Sequence, residues 1–170
     1  LESLDNYFNE DDLNALAEGA DEGNHYQGSL LRWPLNADIG LLYWRTDLMD
    51  EPPRTPQELE SISQKLQNSG RIPYGYVWQG KQYEGLSCVF LEIIDGFGGE
   101  WFSPDSGRIG LDEPPGLDAS EWLNHLIQTG VSPRAVTNFA ESEALQSFKS
   151  GQAAFMRNWP YAWAELQKND

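Results

Sequence analysis

The stretch "SFKSGQAAFMRNWPYAW", residues 147–163, decides the fold because it joins three pieces of local structure. Gly151 ends a helical pattern, and the apolar and aromatic run 153–159 that follows is typical of a strand. Pro160 cannot donate to a β-ladder but is favourable at the start of a helix. We therefore predict a helix, a strand and a last helix in succession.

The same alternation continues toward the N-terminus. Thr55 is a natural N-cap with Pro56 at the first helical position, Glu58 has the spacing of a capping box, and Gly70 ends the helix. Further elements are predicted as follows: strands within 29–49, interrupted at Pro34, and over 72–80; a hairpin that turns at 104–107; and helices over 11–23, 83–99 and 117–130. Helices that alternate with strands indicate an α/β protein.

The charge of the chain excludes two classes of partner. The formal net charge is −16, with 39% hydrophobic and 22% charged residues, which is the composition of a globular protein. A chain with this balance cannot neutralise a run of phosphates, so we expect no nucleic acid partner and no adhesion to anionic membranes. The simplest role of the charge is solubility.

Cysteine and histidine usage argues against a metal site. The only histidines, His25 and His125, stand far apart, and Cys88 is the single cysteine, so no disulfide forms within the chain. We expect no cofactor, and we expect Cys88 to be a small buried residue of an apolar helix. No run approaches the ~18 apolar residues of a membrane span. The first residues show no signal peptide and read as mid-protein, so we expect a partial chain.

Aromatic side chains are the informative excess, with seven each of Trp, Tyr and Phe. Trp159 and Tyr161 flank Pro160, where they are either core rings or flat faces that stack on sugar rings. Arg157 precedes Trp159 on the same predicted strand face. Its guanidinium either donates a fork of hydrogen bonds to ligand hydroxyls or pairs with a carboxylate.

Two carboxylates are candidates for polar contacts with a ligand. Asp38 precedes an apolar strand, with Asn36 on the same face, and it is either a turn residue or an acceptor for sugar hydroxyls. Glu84 begins a predicted helix, where an acidic residue compensates the helix dipole or lies near a ligand cleft. A glycoside hydrolase would use Asp38 and Glu84 as its pair, but the sequence does not give their separation.

Three stretches together resemble the family 1 extracellular solute-binding proteins of ABC sugar importers, nearest the trehalose, maltose and sucrose branch. They are "DIGLLYWRTDLMDEPPRTPQELESISQKLQ" (38–67), "YGYVWQGKQYEGLSCVFLEIIDGFGGEW" (74–101) and the opening stretch (147–163). The likeness runs in order from about Leu30 to Trp163. The block "AAFMRNWPYAW" is the part most specific to that branch.

The resemblance implies an α/β, periplasmic-binding-protein-like (type II) fold that is mainly one lobe plus crossover segments. Residues 1–37 would hold the end of a first-lobe segment and the first crossover. Residues 38–157 would form the second lobe, and 158–170 the second crossover and the start of a return helix. A full family member is much longer, so this chain would lack part of the ligand cleft.

The resemblance also implies a function. The protein would capture a sugar such as trehalose, maltose or sucrose in an interlobe cleft, for import through the membrane-embedded permease subunits. Asp38 and Asn36 would meet hydroxyls, Trp159 and Tyr161 would stack on the sugar, and Glu84 would lie near the cleft. Family members often have an aromatic residue at position 36, so Asn36 is a departure.

Compartment and assembly follow from the same likeness. It implies a monomer in the periplasm or outside the cell, anchored by a lipid through an N-terminal part that this chain lacks. No covalent chemistry is needed, so we expect no enzyme activity. The alternatives are the carbohydrate hydrolase and a lobe remnant that binds no sugar.

Overall fold

The computed structural model describes residues 1–16, 20–103 and 106–168. The chain divides into two compact units, unit 1 (Leu1–Ile39) and unit 2 (Gly40–Asp170). The larger unit contains the α/β core.

Unit 1 contains a short helix and a hairpin. Helix α1 (Glu10–Asn14) has Asn9 as its N-cap, in a capping box in which Asn9 and Asp12 each bond the other's backbone N–H. Strands β1 (His25–Tyr26) and β2 (Ser29–Leu30) pair antiparallel. The helix predicted over 11–23 is therefore shorter where it is described; residues 17–19 lie outside the described part.

Ring stacking and a carboxylate stabilise unit 1. The rings of Phe8 and Trp33 stack with centroids 3.7 Å apart and an interplanar angle of 2°. Asp5 accepts a hydrogen bond from the backbone N–H of Leu30 at 3.0 Å, which joins the N-terminal segment to the hairpin.

Unit 2 is built on a three-stranded sheet with its last strand in the middle. Strand β7 (Ala153–Asn158) pairs antiparallel with β3 (Leu41–Trp44) and parallel with β4 (Tyr74–Val77). All six residues of β7 are buried. This is the pattern of a strand that is covered on both faces of its sheet.

The helices of unit 2 cover this sheet and one another. In chain order, the remaining elements are α2 (Pro56–Asn68), α3 (Glu84–Gly96), β5 (Phe102–Ser103), β6 (Arg108–Ile109), α4 (Pro114–Gln128), a 3₁₀ helix (Arg134–Asn138), α5 (Glu141–Lys149) and α6 (Tyr161–Leu166). Hydrophobic residues form two buried clusters. Neighbours Phe155 and Met156 of β7 belong to different clusters, because successive side chains of a strand point to opposite faces.

Most predicted elements are confirmed, and α2 shows how local their signals are. Thr55 Oγ1 accepts the N–H of Glu58 at 3.1 Å, as a capping residue does. The Glu58 carboxylate, however, bonds the N–H of Arg54 at 2.7 Å, so the predicted capping box is not closed. Gly70 follows α2 with a φ of 71°, a left-handed conformation that favours glycine.

The predicted hairpin is confirmed in part, and the predicted burial of Cys88 is not confirmed. Strands β5 and β6 confirm the hairpin, while Pro104 and Asp105 of its predicted turn lie outside the described residues. The prediction that Cys88 is buried is wrong. Cys88 is half-buried, and its Sγ lies 3.0 Å from the carboxylate of Glu84 one turn earlier, on a partly exposed face of α3. Burial and the Glu84 carboxylate raise the pKa of the Cys88 thiol to about 11.

Gly75 of β4 lies where α2 packs on the sheet, and it gives a test of this packing. A Cβ at position 75 would overlap the side chain of Ser63 and would lie 2.9 Å from Val131 Cγ1. We expect Gly75→Ala to lower the free energy of unfolding by about 1–3 kcal/mol, as overpacking of a tight core does. Urea denaturation measures the change.

Gly96→Ala is the matched control, because a Cβ at the end of α3 would meet no atom within 4 Å. It should be neutral or stabilise by up to about 1 kcal/mol, since alanine favours the helix over glycine. Equal losses in the two variants would contradict the packing described for β4.

Candidate functional site

Trp159 stands at the end of the central strand with its backbone fixed on both sides. The Tyr43 hydroxyl of β3 donates to the Trp159 carbonyl at 2.8 Å, and the Trp159 N–H donates to Asn158 Oδ1 at 2.9 Å. Pro160, with φ −56°, then caps α6. The strand therefore turns into a helix at a rigid junction, as predicted, and the Trp159 ring is half-buried there.

The guanidinium of Arg157 covers one face of this ring. Arg157 Cζ lies 3.7 Å from the centroid of Trp159, well within the range of a cation–π contact. Such a contact is strongest where water is excluded, and the Arg157 side chain is only 4% exposed. One face of Trp159 is thus occupied by the protein itself.

Arg157 is held in turn by two acceptors from distant parts of unit 2. Its Nε donates to Glu92 Oε2 at 2.9 Å, and Nη2 bonds the other oxygen of the same carboxylate. Its Nη1 donates to Gln79 Oε1 at 3.1 Å. Of the two roles left open for Arg157, the structure shows the pair with a carboxylate. Donation to ligand hydroxyls stays a prediction.

The Glu92 carboxylate reaches Arg157 by passing against the backbone of Gly40. A Cβ at position 40 would overlap this carboxylate, with Glu92 Cδ at 2.6 Å. A groove of about 300 Å³ lies beside the pair and is lined in part by Gly40, Glu92 and Arg157. Glycine at position 40 therefore makes room for the exposed Glu92 carboxylate to pair with the buried Arg157 guanidinium.

Glu141, the first residue of α5, holds the edge of the Trp159 ring. Its Oε1 accepts the indole Nε1–H at 3.0 Å. Burial opposes the ionised form of Glu141, but the neighbouring Tyr83 hydroxyl, the helix backbone and the Trp159 indole favour it. Together they lower the pKa of Glu141 below the ordinary glutamate value. Sequence reasoning missed this residue.

Tyr83 lies beside Glu141 with its ring folded over Gly85. The Tyr83 hydroxyl is buried and acts on the Glu141 carboxylate, although no described residue lies in regular hydrogen-bond geometry with it. Burial and the carboxylates of Glu141 and Glu84 raise the pKa of Tyr83 well above its usual range. A Cβ at position 85 would overlap the Tyr83 ring, so Gly85 permits this close approach.

Tyr161 and Glu84, also predicted as ligand contacts, are more open. Tyr161 is 44% exposed at the start of α6, and burial and the Glu141 carboxylate raise its pKa. Glu84 is exposed at the first position of α3, where a carboxylate compensates the helix dipole. The Glu141 carboxylate thus acts on the pKa of Tyr161, and the Glu84 carboxylate acts on the pKa of Tyr83, which lies beside Glu141.

The remaining predicted contacts lie in unit 1. Asn36 Nδ2 donates to Asp38 Oδ2 at 2.7 Å, and both side chains are exposed. This bond confirms that the two residues share a face. A role in ligand binding stays a prediction for both, as does the expectation that Asp38 shares a pocket with Trp159 and Tyr161.

The described part of the chain contains neither a cluster of metal-ligating side chains nor a membrane-spanning helix. In residues 1–16, 20–103 and 106–168, no group of three or more His, Cys, Asp or Glu side chains is arranged to hold a metal ion. Within the same ranges, no helix combines the length and the apolar character needed to cross a bilayer.

The close approach at Gly40 can be tested by a double-mutant cycle. Gly40→Ala should push Glu92 away from Arg157 and leave the buried guanidinium with Gln79 as its acceptor, which costs about 1–3 kcal/mol of unfolding free energy. In a Glu92→Ala background the same substitution should cost under about 1 kcal/mol, because the obstructed carboxylate is gone. Denaturant unfolding of the four proteins gives the coupling; additive losses would show that Gly40 acts in another way.

Comparisons with known proteins identify relatives along the whole chain. The family described as "Bacterial extracellular solute-binding protein" matches residues 1–170. A "Probable ABC transporter-binding protein" of Deinococcus radiodurans is 42% identical over 156 residues, which are 86% of this chain and 37% of that protein. A "Maltotriose-binding protein" of Pyrococcus abyssi is 27% identical over 95% of this chain and 34% of its own. This chain thus spans well under half the length of these two relatives.

Solved structures show the same relationship. The structure "Maltose bound T. maritima MalE3" is similar with a TM-score of 0.87 and 37% identity, over 100% of this chain and 44% of that one. A Thermotoga lettingae solute-binding protein, at 23% identity and a TM-score of 0.73, shares the fold. These matches confirm the α/β, periplasmic-binding-protein-like fold class, represented here mainly by one lobe. The chain therefore belongs to the bacterial extracellular solute-binding protein family.

Proposed function

We propose that this chain is part of the sugar-binding component of an ABC importer. The observation that carries the proposal is the Trp159 ring, which is half-buried, fixed by Arg157 on one face and by Glu141 at its edge, and supported by a rigid turn. A ring held in one place presents a flat apolar surface at little entropic cost, which suits the C–H face of a sugar. The names of the relatives from D. radiodurans and P. abyssi support the same function.

The other predicted contacts supply polar chemistry. We assign Asp38 and Asn36 as partners of sugar hydroxyls, since a carboxylate accepts from two hydroxyls and an amide both donates and accepts. Tyr161, exposed next to the Pro160 turn, is assigned as a second aromatic contact, and Glu84 as a nearby acceptor. We assign Arg157 an indirect role in binding. It supports the Trp159 ring, while its own donors face Glu92 and Gln79.

We infer a disaccharide or short oligosaccharide as the ligand, with maltose ahead of trehalose and sucrose. The support is the similarity to a maltose-bound structure and to a maltotriose-binding protein. The segment assignment is part of this proposal: residues 1–37 as the end of a first-lobe segment and first crossover, 38–157 as the second lobe, and 158–170 as the second crossover and return helix.

Capture followed by transport needs no bond to be broken. We propose a non-enzymatic protein that is exported, hands its sugar to membrane-embedded permease subunits, and acts as a monomer with a lipid anchor outside this chain. The family is one of solute-binding proteins rather than enzymes.

Incubation with chromogenic α- and β-glucosides should give no turnover. Steady release of chromophore that Asp38→Asn abolishes would favour the hydrolase.

Tryptophan fluorescence tests the aromatic contact. Titration of maltose, trehalose and sucrose into the complete binding protein of which this chain is proposed to be a part should shift the emission for at least one sugar. Trp159→Ala should weaken that binding by about 30-fold or more, because loss of a central aromatic contact costs roughly 2 kcal/mol or more. Trp101→Ala is the control: Trp101 is 50% exposed beside the β5–β6 hairpin, and its loss should leave affinity unchanged. Equal affinity in the wild type and Trp159→Ala would contradict the site.

Thermal unfolding tests the hydroxyl partners. A sugar at about 100 times its dissociation constant adds roughly 2.7 kcal/mol to the folded state and raises the melting midpoint by a few degrees. Asp38→Asn should reduce this shift, since a hydrogen bond to a charged acceptor contributes about 1.5–3 kcal/mol. The midpoint without sugar should stay nearly the same, because Asp38 is exposed. A full sugar-induced shift in Asp38→Asn would remove Asp38 from the site.

A further inference from the structure

The Trp159 ring offers a ligand three features: two faces and one N–H donor. Arg157 covers one face, with its Cζ 3.7 Å from the ring centroid. Glu141 takes the N–H, with Oε1 3.0 Å from Nε1. Of these three features, only the opposite face has no described contact, and the ring is half-buried.

Two separate elements fix the ring. Arg157 belongs to the central strand β7, whereas Glu141 begins helix α5. The helix start is itself tied to the strand end, because Asn158 Nδ2 donates to the Glu141 carbonyl at 3.1 Å. A half-turn of the indole about its Cβ–Cγ bond would carry the N–H away from Glu141. The contacts with Arg157 and Glu141 therefore set the orientation of the ring together. Only the hydrogen bond to Glu141 distinguishes this orientation from the one turned by 180°, because Arg157 would cover a ring face in either.

The environment of Glu141 suits a charged acceptor. The side chain is half-buried at a helix N-terminus, where backbone N–H groups favour negative charge. Its neighbours are the Trp159 N–H and the Tyr83 hydroxyl, which is buried and acts on the Glu141 carboxylate. A charged acceptor makes a stronger hydrogen bond than a neutral one.

We propose that Glu141 is a positioning residue: it fixes the Trp159 indole so that a sugar stacks only on the face opposite Arg157 and receives no hydrogen bond from the indole N–H. This inference rests on the proposed function and adds to it a residue and a direction of approach. Trp159 then contributes stacking alone, and the choice among sugars falls to the polar groups around it.

The first test follows the indole N–H itself. In ¹⁵N-tryptophan-labelled protein, the Trp159 indole resonance is identified by its loss in Trp159→Phe. Glu141→Ala should move this resonance toward the position of a solvent-exposed indole, whereas Glu141→Gln, whose amide oxygen still accepts the bond, should move it much less. An unchanged resonance in Glu141→Ala would overturn the proposal.

The second test follows affinity for maltose, trehalose and sucrose in the same proteins. Glu141→Ala should weaken the binding of the preferred sugar by about 10-fold, the effect of one lost hydrogen bond, and Glu141→Gln by less than about 3-fold. Saturation of the wild type should leave the indole resonance in its hydrogen-bonded position. A loss of the bonded position on sugar binding, or equal losses in the two variants, would also overturn the proposal.

Glu143→Ala is the matched control on the same turn of α5. The Glu143 carboxylate bonds the N–H of Ala140 at 2.9 Å and has no contact with Trp159, so this variant changes helix stability and net charge without touching the ring. Affinity and the indole resonance should stay as in the wild type. Urea midpoints of all variants separate a folding defect from a local one.

Failure of the proposed function gives a different result from failure of this inference. If the complete binding protein of which this chain is proposed to be a part binds none of the sugars, the function and the direction of approach are both wrong, while the resonance still reports whether Glu141 fixes Trp159. If sugars bind but the resonance ignores Glu141, the function stands and the positioning role is wrong.

Discussion

A guanidinium buried in the central strand is the constraint on which the rest of unit 2 depends. Arg157 cannot lose its charge, so its burial in β7 is tolerated only with acceptors in place. Glu92 from α3 and Gln79 after β4 supply them. Gly40, just before β3, leaves the space through which Glu92 arrives. The contacts of this one cation therefore link helix α3 to the central strand β7, to the segment after β4 and to the residue before β3.

The same cation prepares the candidate site. Because Arg157 is held by Glu92 and Gln79, it offers a fixed surface on which the Trp159 ring rests. The ring is then ordered before any ligand arrives, and binding need not order it. Arg157 and its acceptors are thus linked directly to Trp159, the proposed ligand contact, by hydrogen bonds and one cation–π contact. Substitutions in this part of β7 should affect stability and binding together.

The electrostatics of the protein agree with a neutral ligand. A net charge of −16 would oppose an anionic ligand, whereas a sugar is uncharged and gains from acceptors for its hydroxyls. Of the carboxylates around Arg157 and Trp159, Glu92 pairs with the guanidinium and Glu141 accepts the indole N–H. An acidic surface and a polar sugar site are therefore compatible. The proposed function needs no reactive group.

The sequence by itself determined the order of the elements and the turn at Pro160. These features depend on local signals: Thr55 as a cap, Gly70 as a terminator, and a proline that ends a strand and begins a helix. The resemblance also led to Trp159 and Tyr161. The sequence did not identify Glu92 or Glu141, which are two of 27 acidic residues and have no distinguishing neighbours.

Only the tertiary structure decided which carboxylates pair with Arg157 and Trp159. Glu92 meets Arg157 across 65 positions of sequence, and Glu141 meets Trp159 across 18. The tertiary structure also decided the role of Arg157, because packing brings the Glu92 carboxylate to its guanidinium. It decided the burial of Cys88 as well, because the face of α3 that carries Cys88 is only partly covered. The physical reason is that capping and chain-breaking act within one turn of the backbone. The partner of a buried charge, by contrast, is set by which distant elements pack around it.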